Sequence, residues 1–175
     1  MLFVIVDLES TCWEDVRASV EQKEIIEIGA VLLDDSLAPV REFGRFVRPV
    51  ADPKLSPFCT QLTSITQDDV DGADVFPVVF HQFLDWIGDD PYRLGSWGAY
   101  DLHQFEADCA RHGMALPEAF RDHANVKADF ATRFDTKRCG MAAALQQAGI
   151  PLTGTHHRGI DDARNIAKLA ARIYA

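Results

Sequence analysis

The chain has 175 residues, of which 47% are hydrophobic and 25% charged. That is the composition of one ordinary globular domain, and it excludes disordered, collagen-like and coiled-coil chains. The formal charge of −10 disfavours a uniformly basic nucleic-acid-binding surface. The charge is unevenly spread, however. Asp68 to Asp90 contains seven acids and no Lys or Arg, whereas Arg121 to Arg138 carries five basic and three acidic residues. A polyanion could therefore bind a face away from the acidic stretch. No apolar run approaches the ~20 residues of a membrane span. The opening Met1–Val6 is too short for a leader core, so no membrane role and a cytoplasmic location are expected. The four cysteines, Cys12, Cys59, Cys109 and Cys139, form no C-x-x-C pair, which fits reduced thiols rather than a zinc site.

In chain order, Leu2 to Glu9 reads as a central strand, apolar on both faces until Asp7. Ile25 to Leu33 and Glu42 to Val47 extend it to a three-strand meander, and Pro49 to Thr60 reads as loop. Thr66 is an N-cap, and Val75 to Ile87 an amphipathic helix. Leu94 to Trp97 is a strand leading into a helix from Asp101 to His112, and Asn125 to Ala128 reads as a further strand. Cys139 to Ala148, ended by Gly149, and Asp161 to Tyr174 are helices. Residues 1–175 thus predict one α/β domain with a mixed sheet flanked by helices.

Asp7 and Glu9, two apart on a strand, project from the same face about 7 Å apart. A strand end open to solvent would also read this way. At the end of a buried strand, however, two such acids repel each other and lose hydration, and a hard divalent cation with oxygen ligands resolves both problems. In His156-His157-Arg158-Gly159-Ile160-Asp161-Asp162 the His-x4-Asp spacing occurs in two frames. The last helix's apolar stripe runs Ala163, Ile166, Ala170, Ile173, and Asp162 lies on it. Asp161 aligns instead with Asn165, Lys168 and Arg172, read as the solvent face. That selects Asp162 as the inward acid and His157 as a candidate base, leaving His156 as surface. Asp101 sits at the inward end of the Phe105/Cys109 stripe, with N-capping as its plain alternative.

Asp7-x-Glu9, Asp101 and His157-x4-Asp162 resemble the DEDDh branch of the DnaQ-like 3′→5′ exonucleases. Asp7-Leu8-Glu9-Ser10-Thr11-Cys12-Trp13-Glu14, Glu24-Ile25-Ile26-Glu27-Ile28-Gly29-Ala30, Phe58 to Gln67 and Ser96-Trp97 are similar to the subgroup that trims histone-mRNA 3′ ends and degrades small RNAs. The resemblance implies a ribonuclease-H-like fold with a five-stranded mixed sheet. It implies two Mg²⁺ ions, replaceable by Mn²⁺, held by Asp7, Glu9, Asp101 and Asp162, with His157 as general base and single-stranded RNA or DNA 3′ ends as substrate. It further implies Phe58, Leu62 and Trp97 at the terminal base and Ser10, Thr11 and Cys12 at the terminal sugar. Gly98-Ala99-Tyr100 separates Ser96-Trp97 from Asp101, where some relatives have no spacer. A proofreading DNA exonuclease subunit and a catalytically silent nucleic-acid-binding module are the competing expectations.

Overall fold

The computed structural model describes residues 1–14 and 17–175. Five strands form one mixed sheet: β1 (Leu2–Ser10), β2 (Ile25–Leu33), β3 (Pro39–Phe46), β4 (Tyr92–Ser96) and β5 (Ala124–Asn125), in the order β3-β2-β1-β4-β5. The first three are the antiparallel meander expected from the sequence; β4 joins β1, and β5 joins β4, in parallel. Seven helices flank the sheet among the described residues: α1 (Pro57–Thr63), α2 (Gln67–Asp71), α3 (Phe76–Ile87), α4 (Tyr100–Arg111), α5 (Val126–Arg133), α6 (Met141–Ala148) and α7 (Gly159–Tyr174).

The two faces of β1 follow from its alternation. Val4, Val6 and Leu8 pack with Phe80, Phe83 and Phe105 of α3 and α4. Phe3 and Ile5 pack on the other face with α5, α6 and α7, against residues such as Phe130, Leu145 and Ile166. Asp7 and Glu9 share the parity of Phe3 and Ile5, so the strand's period of two aims both acids at the face α7 covers. β2 obeys the same rule: Val31 and Leu33 lie in the α7-side cluster, which places Glu27 and Gly29 on that side too.

Gly29 is required by close approach. A Cβ there would lie 2.0 Å from the Gly159 carbonyl carbon, so α7 begins directly on the backbone of β2. Gly29 cannot carry a side chain without moving the helix, and a Cβ on Gly159 would sit tightly at 3.0 Å from the Asp7 carbonyl oxygen.

The structure corrects the sequence reading in three places. The loop assigned to residues 49–60 gives way to α1 at Pro57, where the Ser56 hydroxyl accepts from the Cys59 N–H at 3.0 Å and proline occupies the first turn. The strand expected over 125–128 is only Ala124–Asn125; Asn125 then caps α5 by accepting from the Ala128 N–H at 3.0 Å. Asn165, placed on a solvent face, is fully buried. Its side-chain amide donates to the Thr153 and Asp161 carbonyls and its oxygen accepts from the Thr153 N–H, which ties the 153–157 loop to α7. Asp161 is correspondingly engaged, accepting from the Thr155 N–H at 2.9 Å and pairing with Arg164 at 2.8 Å.

Candidate active site

Asp7, Glu9 and Asp162 each present an oxygen, and the three atoms lie within 4.8 Å of one another. The strand's alternation supplies the first two and the first turn of α7 the third, across 155 residues of chain. Asp162 is 4% exposed and Glu9 9%, while Asp7 keeps part of its surface open. Burial, followed by repulsion from Asp101, Glu9, Asp162 and Glu27, holds the Asp7 carboxyl well above the usual carboxylate range. Burial first, then Asp162, Glu27 and Asp101, pushes Glu9 up to about 8. A nest of this kind is costly to ionise by itself, and its all-oxygen donor set fits a hard divalent cation. The residues present therefore suit the ions that the motif implies.

Asp101 lies outside that 4.8 Å set but is buried beside it. It does not cap α4, whose N-cap is Ala99. Its Oδ1 instead accepts from the Leu8 N–H at 3.0 Å. The pairing of β1 with β4 ends at Ile5 and Gly95, so Leu8 lies beyond its reach and Asp101 supplies the acceptor. Burial raises the Asp101 carboxyl, while the Leu8 and Ser96 hydrogen bonds and the nearby Lys127 ammonium oppose the rise.

His157 has a left-handed backbone, φ +64. Its N–H donates to Asp162 Oδ2 at 2.9 Å, so one carboxylate oxygen fixes the turn that bears the imidazole. Burial and the neighbouring His156 lower the His157 pKa against the opposing pull of Asp162. A lowered value keeps the ring neutral and able to accept a proton at neutral pH.

His156 departs from the surface role expected of it. Its Nδ1 lies 2.9 Å from Asp162 Oδ2, and its ring stacks on His157 at 4.0 Å between centroids. The contact needs the proton on Nδ1. The double reading frame in the sequence was the only hint that both histidines meet the same acid.

Glu27 was not singled out by sequence reasoning. Facing Glu9 across the β1–β2 ladder, it is 2% exposed. It accepts from the Gly159 N–H at 2.9 Å and from Arg158 Nε at 3.1 Å, so it anchors the start of α7 and with it Asp162.

The residues expected at the terminal nucleotide fall into two groups. Phe58 and Leu62 lie one helical turn apart on α1, half-buried and 37% exposed respectively, while Cys59 and Thr63 fill the inward face. Leu62 belongs to none of the core clusters among the described residues. α1 is docked on the exit of β1 by Ser56, whose hydroxyl donates to the Cys12 carbonyl at 2.6 Å. Thr11 and Ser10 are already committed: Thr11 Oγ1 accepts from the Glu24 N–H, and Ser10 Oγ lies 2.7 Å from the Tyr100 hydroxyl. Cys12 is half-buried against Cys59. Hydrogen bonding to Cys12 lowers the Cys59 thiol to about 7 and raises that of Cys12. Trp97 packs on Phe130 at 5.9 Å, and its Nε1–H donates to the Cys139 carbonyl at 3.1 Å.

A five-stranded mixed sheet with an acid nest at the junction of its first strand and last helix defines a nuclease-type fold, and the comparison with known proteins agrees. The family profile described as Exonuclease matches residues 4–170, and the chain belongs to that exonuclease family. Among curated proteins it is 35% identical over 192 residues to "ERI1 exoribonuclease 2" of Danio rerio, covering 97% of this chain and 34% of that protein. It is 32% identical over 179 residues to human "3′-5′ exoribonuclease 1", covering 97% and 51%. The chain thus spans about a third to a half of the length of these relatives. Among solved structures it resembles the nuclease domain of 3′hExo, described as a DEDDh family member bound to rAMP. The TM-score is 0.91 at 32% identity, with 98% of this chain and 90% of that one covered. Exonuclease I, at 13% identity and a TM-score of 0.77, shares the fold.

Proposed function

We propose that this chain is a divalent-metal-dependent 3′→5′ exonuclease that shortens single-stranded 3′ ends, RNA favoured, and releases nucleoside 5′-monophosphates. The observation that carries this reading is the oxygen nest of Asp7, Glu9 and Asp162, with the turn bearing His157 held to Asp162 through its backbone N–H. The names of the most similar relatives supply the preference for RNA and for 3′ ends. Asp7, Glu9, Asp101 and Asp162 would hold two Mg²⁺ ions, with Mn²⁺ as a substitute. When bound, such ions supply Lewis acidity at the phosphodiester and neutralise the charge that builds up during in-line displacement.

The chain's own groups account for the rest. His157, neutral at pH 7, takes the proton from the attacking water. Asp162 holds the His157 turn through its N–H, and Glu27 with Arg158 holds the helix that bears Asp162. Phe58 and Leu62 present an apolar face on which a terminal base can rest, and Trp97 borders the entry to Asp101. Stacking of this kind contributes ~1–3 kcal/mol per base and tolerates any sequence.

The test uses 5′- and 3′-labelled RNA and DNA oligomers of one sequence. With Mg²⁺ or Mn²⁺ the 3′-hydroxyl single strand should shorten stepwise to 5′-mononucleotides, and EDTA should stop it. Cutting of a circular single strand would refute exonuclease action. Equal turnover of DNA and RNA would remove the RNA preference while leaving the nuclease.

A further inference from the structure

An acidic protein that holds a polynucleotide needs local cations along the strand's path, because affinity for a phosphate backbone comes mainly from Lys and Arg. Among the described residues the acids occupy most arginines nearest them: Arg93, Arg111, Arg121, Arg158 and Arg164 all pair with carboxylates. None of the lysines does so among the described residues.

Lys127 stands out among them. It is half-buried on the first turn of α5. Its Nζ lies 3.7 Å from where a Cβ on Gly98 would be, between Trp97 and Asp101 in the chain. Its charge is felt by the Asp101 carboxyl. A second, independent contact brings the other end of the same basic segment to the same place. The Trp97 indole donates to the Cys139 carbonyl, which sets the exposed Lys137 and Arg138 just before that anchor. Residues 127–138, net basic in an acidic chain, therefore lie between two anchors beside Trp97, Lys127 at Gly98 and Cys139 at the indole.

We propose that Lys127, with Lys137 and Arg138, forms a phosphate-binding rim that grips the polynucleotide backbone on the 5′ side of the terminal nucleotide. The proposal rests on the exonuclease reading above and adds to it the side from which the strand arrives. The strand passes the β4–β5 edge of the sheet, beside Trp97. The β3 edge and the acidic 68–90 stretch lie off its path. Single-strand phosphates are the ligand, and the contacts carry no sequence information.

The experiment measures binding of a 3′-hydroxyl single-stranded RNA by fluorescence anisotropy, in the Asp7→Asn background so that the strand is not consumed, across 25–200 mM KCl as about an eightfold range. Lys127→Gln should weaken binding several-fold and reduce the slope of log Kd against log salt by ~0.7. Adding Lys137→Gln and Arg138→Gln should reduce it by ~2 in all. Lys127→Arg should restore most of the affinity. Arg45→Gln, the same charge change on the exposed β3 edge, should alter neither quantity by as much. In the active enzyme, Lys127→Gln should raise KM with kcat within a few-fold.

Unchanged Kd and salt slope in the Lys127 and triple variants would overturn the rim while leaving the nuclease intact. A fall in kcat at constant KM would also overturn it, by showing that Lys127 acts through Asp101. Absence of both cleavage and RNA binding in the parent chain would instead overturn the exonuclease reading, and the rim with it.

Discussion

Replacing Glu9 by Gln should make the metal-free protein more stable at alkaline pH, although it removes a carboxylate from the heart of the site. The Glu9 carboxyl is pushed up from an ordinary 4.5 to about 8. Between those values the folded chain holds a proton that the unfolded chain has released, so stability falls as pH rises through the window. Each unit corresponds to ~1.4 kcal/mol, which puts the ceiling of the loss on the order of 5 kcal/mol above pH 8. For a domain of this size that is a rise of roughly 10 °C in the melting temperature of Glu9→Gln at about pH 8.5, and nearly none at about pH 5. Asp7 titrates in the same sense as Glu9. Because Glu9 is one of the groups that raise Asp7, the variant also relaxes part of the Asp7 shift, which widens the gap in the same direction. His157, whose pKa is lowered by burial and His156, contributes with opposite sign below its ordinary value and cancels when variant and parent are compared at each pH. The assay is thermal denaturation in EDTA across the pH range, repeated with excess Mg²⁺. Cation binding to the folded state alone stabilises the parent and should close or reverse the gap. A gap that fails to widen with pH, or a variant that melts below the parent at pH 8.5, would refute the reasoning.

His157→Ala should lower kcat by ~10²–10⁴ while the ions still bind, as measured by single-turnover kinetics and metal titration. His156→Ala removes one partner of Asp162, and its effect on kcat should stay within a few-fold; a dead His156→Ala beside an active His157→Ala would reverse the two roles. Glu27→Ala removes the acceptor of Arg158 and the Gly159 N–H and should cost ~1–3 kcal/mol at about pH 5, where the raised Glu9 is protonated and no repulsion with it is relieved, read as a drop of several degrees in melting temperature. Unaltered stability would show that Glu27 does not anchor α7. Gly29→Ala places a methyl on the Gly159 backbone, so α7 must shift and activity should collapse; wild-type turnover in that variant would contradict the crossing described.

Much of the site could be read from the sequence because its logic is local. Two acids at one parity of a strand, and an acid on the apolar stripe of a helix, are visible without coordinates. Glu27 was hidden because its role depends on the register that sets it opposite Glu9 and on a helix start 132 residues away. Asn165 defeated hydropathy, since a polar side chain can be buried where a loop supplies its partners, as Thr153 does. α1 was masked by the prolines around it, although Ser56-Pro57 is itself a helix start. The short β5 ended where Asn125 turned from ladder to cap. These misses share a cause: a polar side chain's partner, unlike its periodicity, is set by tertiary structure.

The contact of Gly29 with Gly159 also bears on folding. It joins residues 130 positions apart, and Asp7 to Asp162 spans still more chain, so closing the nest carries the loop entropy of nearly the whole molecule. Sheet, α3 and α4 can assemble around their own aromatic cluster without it. A chain whose last helix has come loose would keep most of its secondary structure, yet would have Asp7 and Glu9 without their third acid. Local opening at the α7 start would therefore appear as lost metal affinity and heightened exchange of the Gly159 and Asp162 amides well before any global unfolding, and bound cation would act as the clasp that holds the two distant segments together.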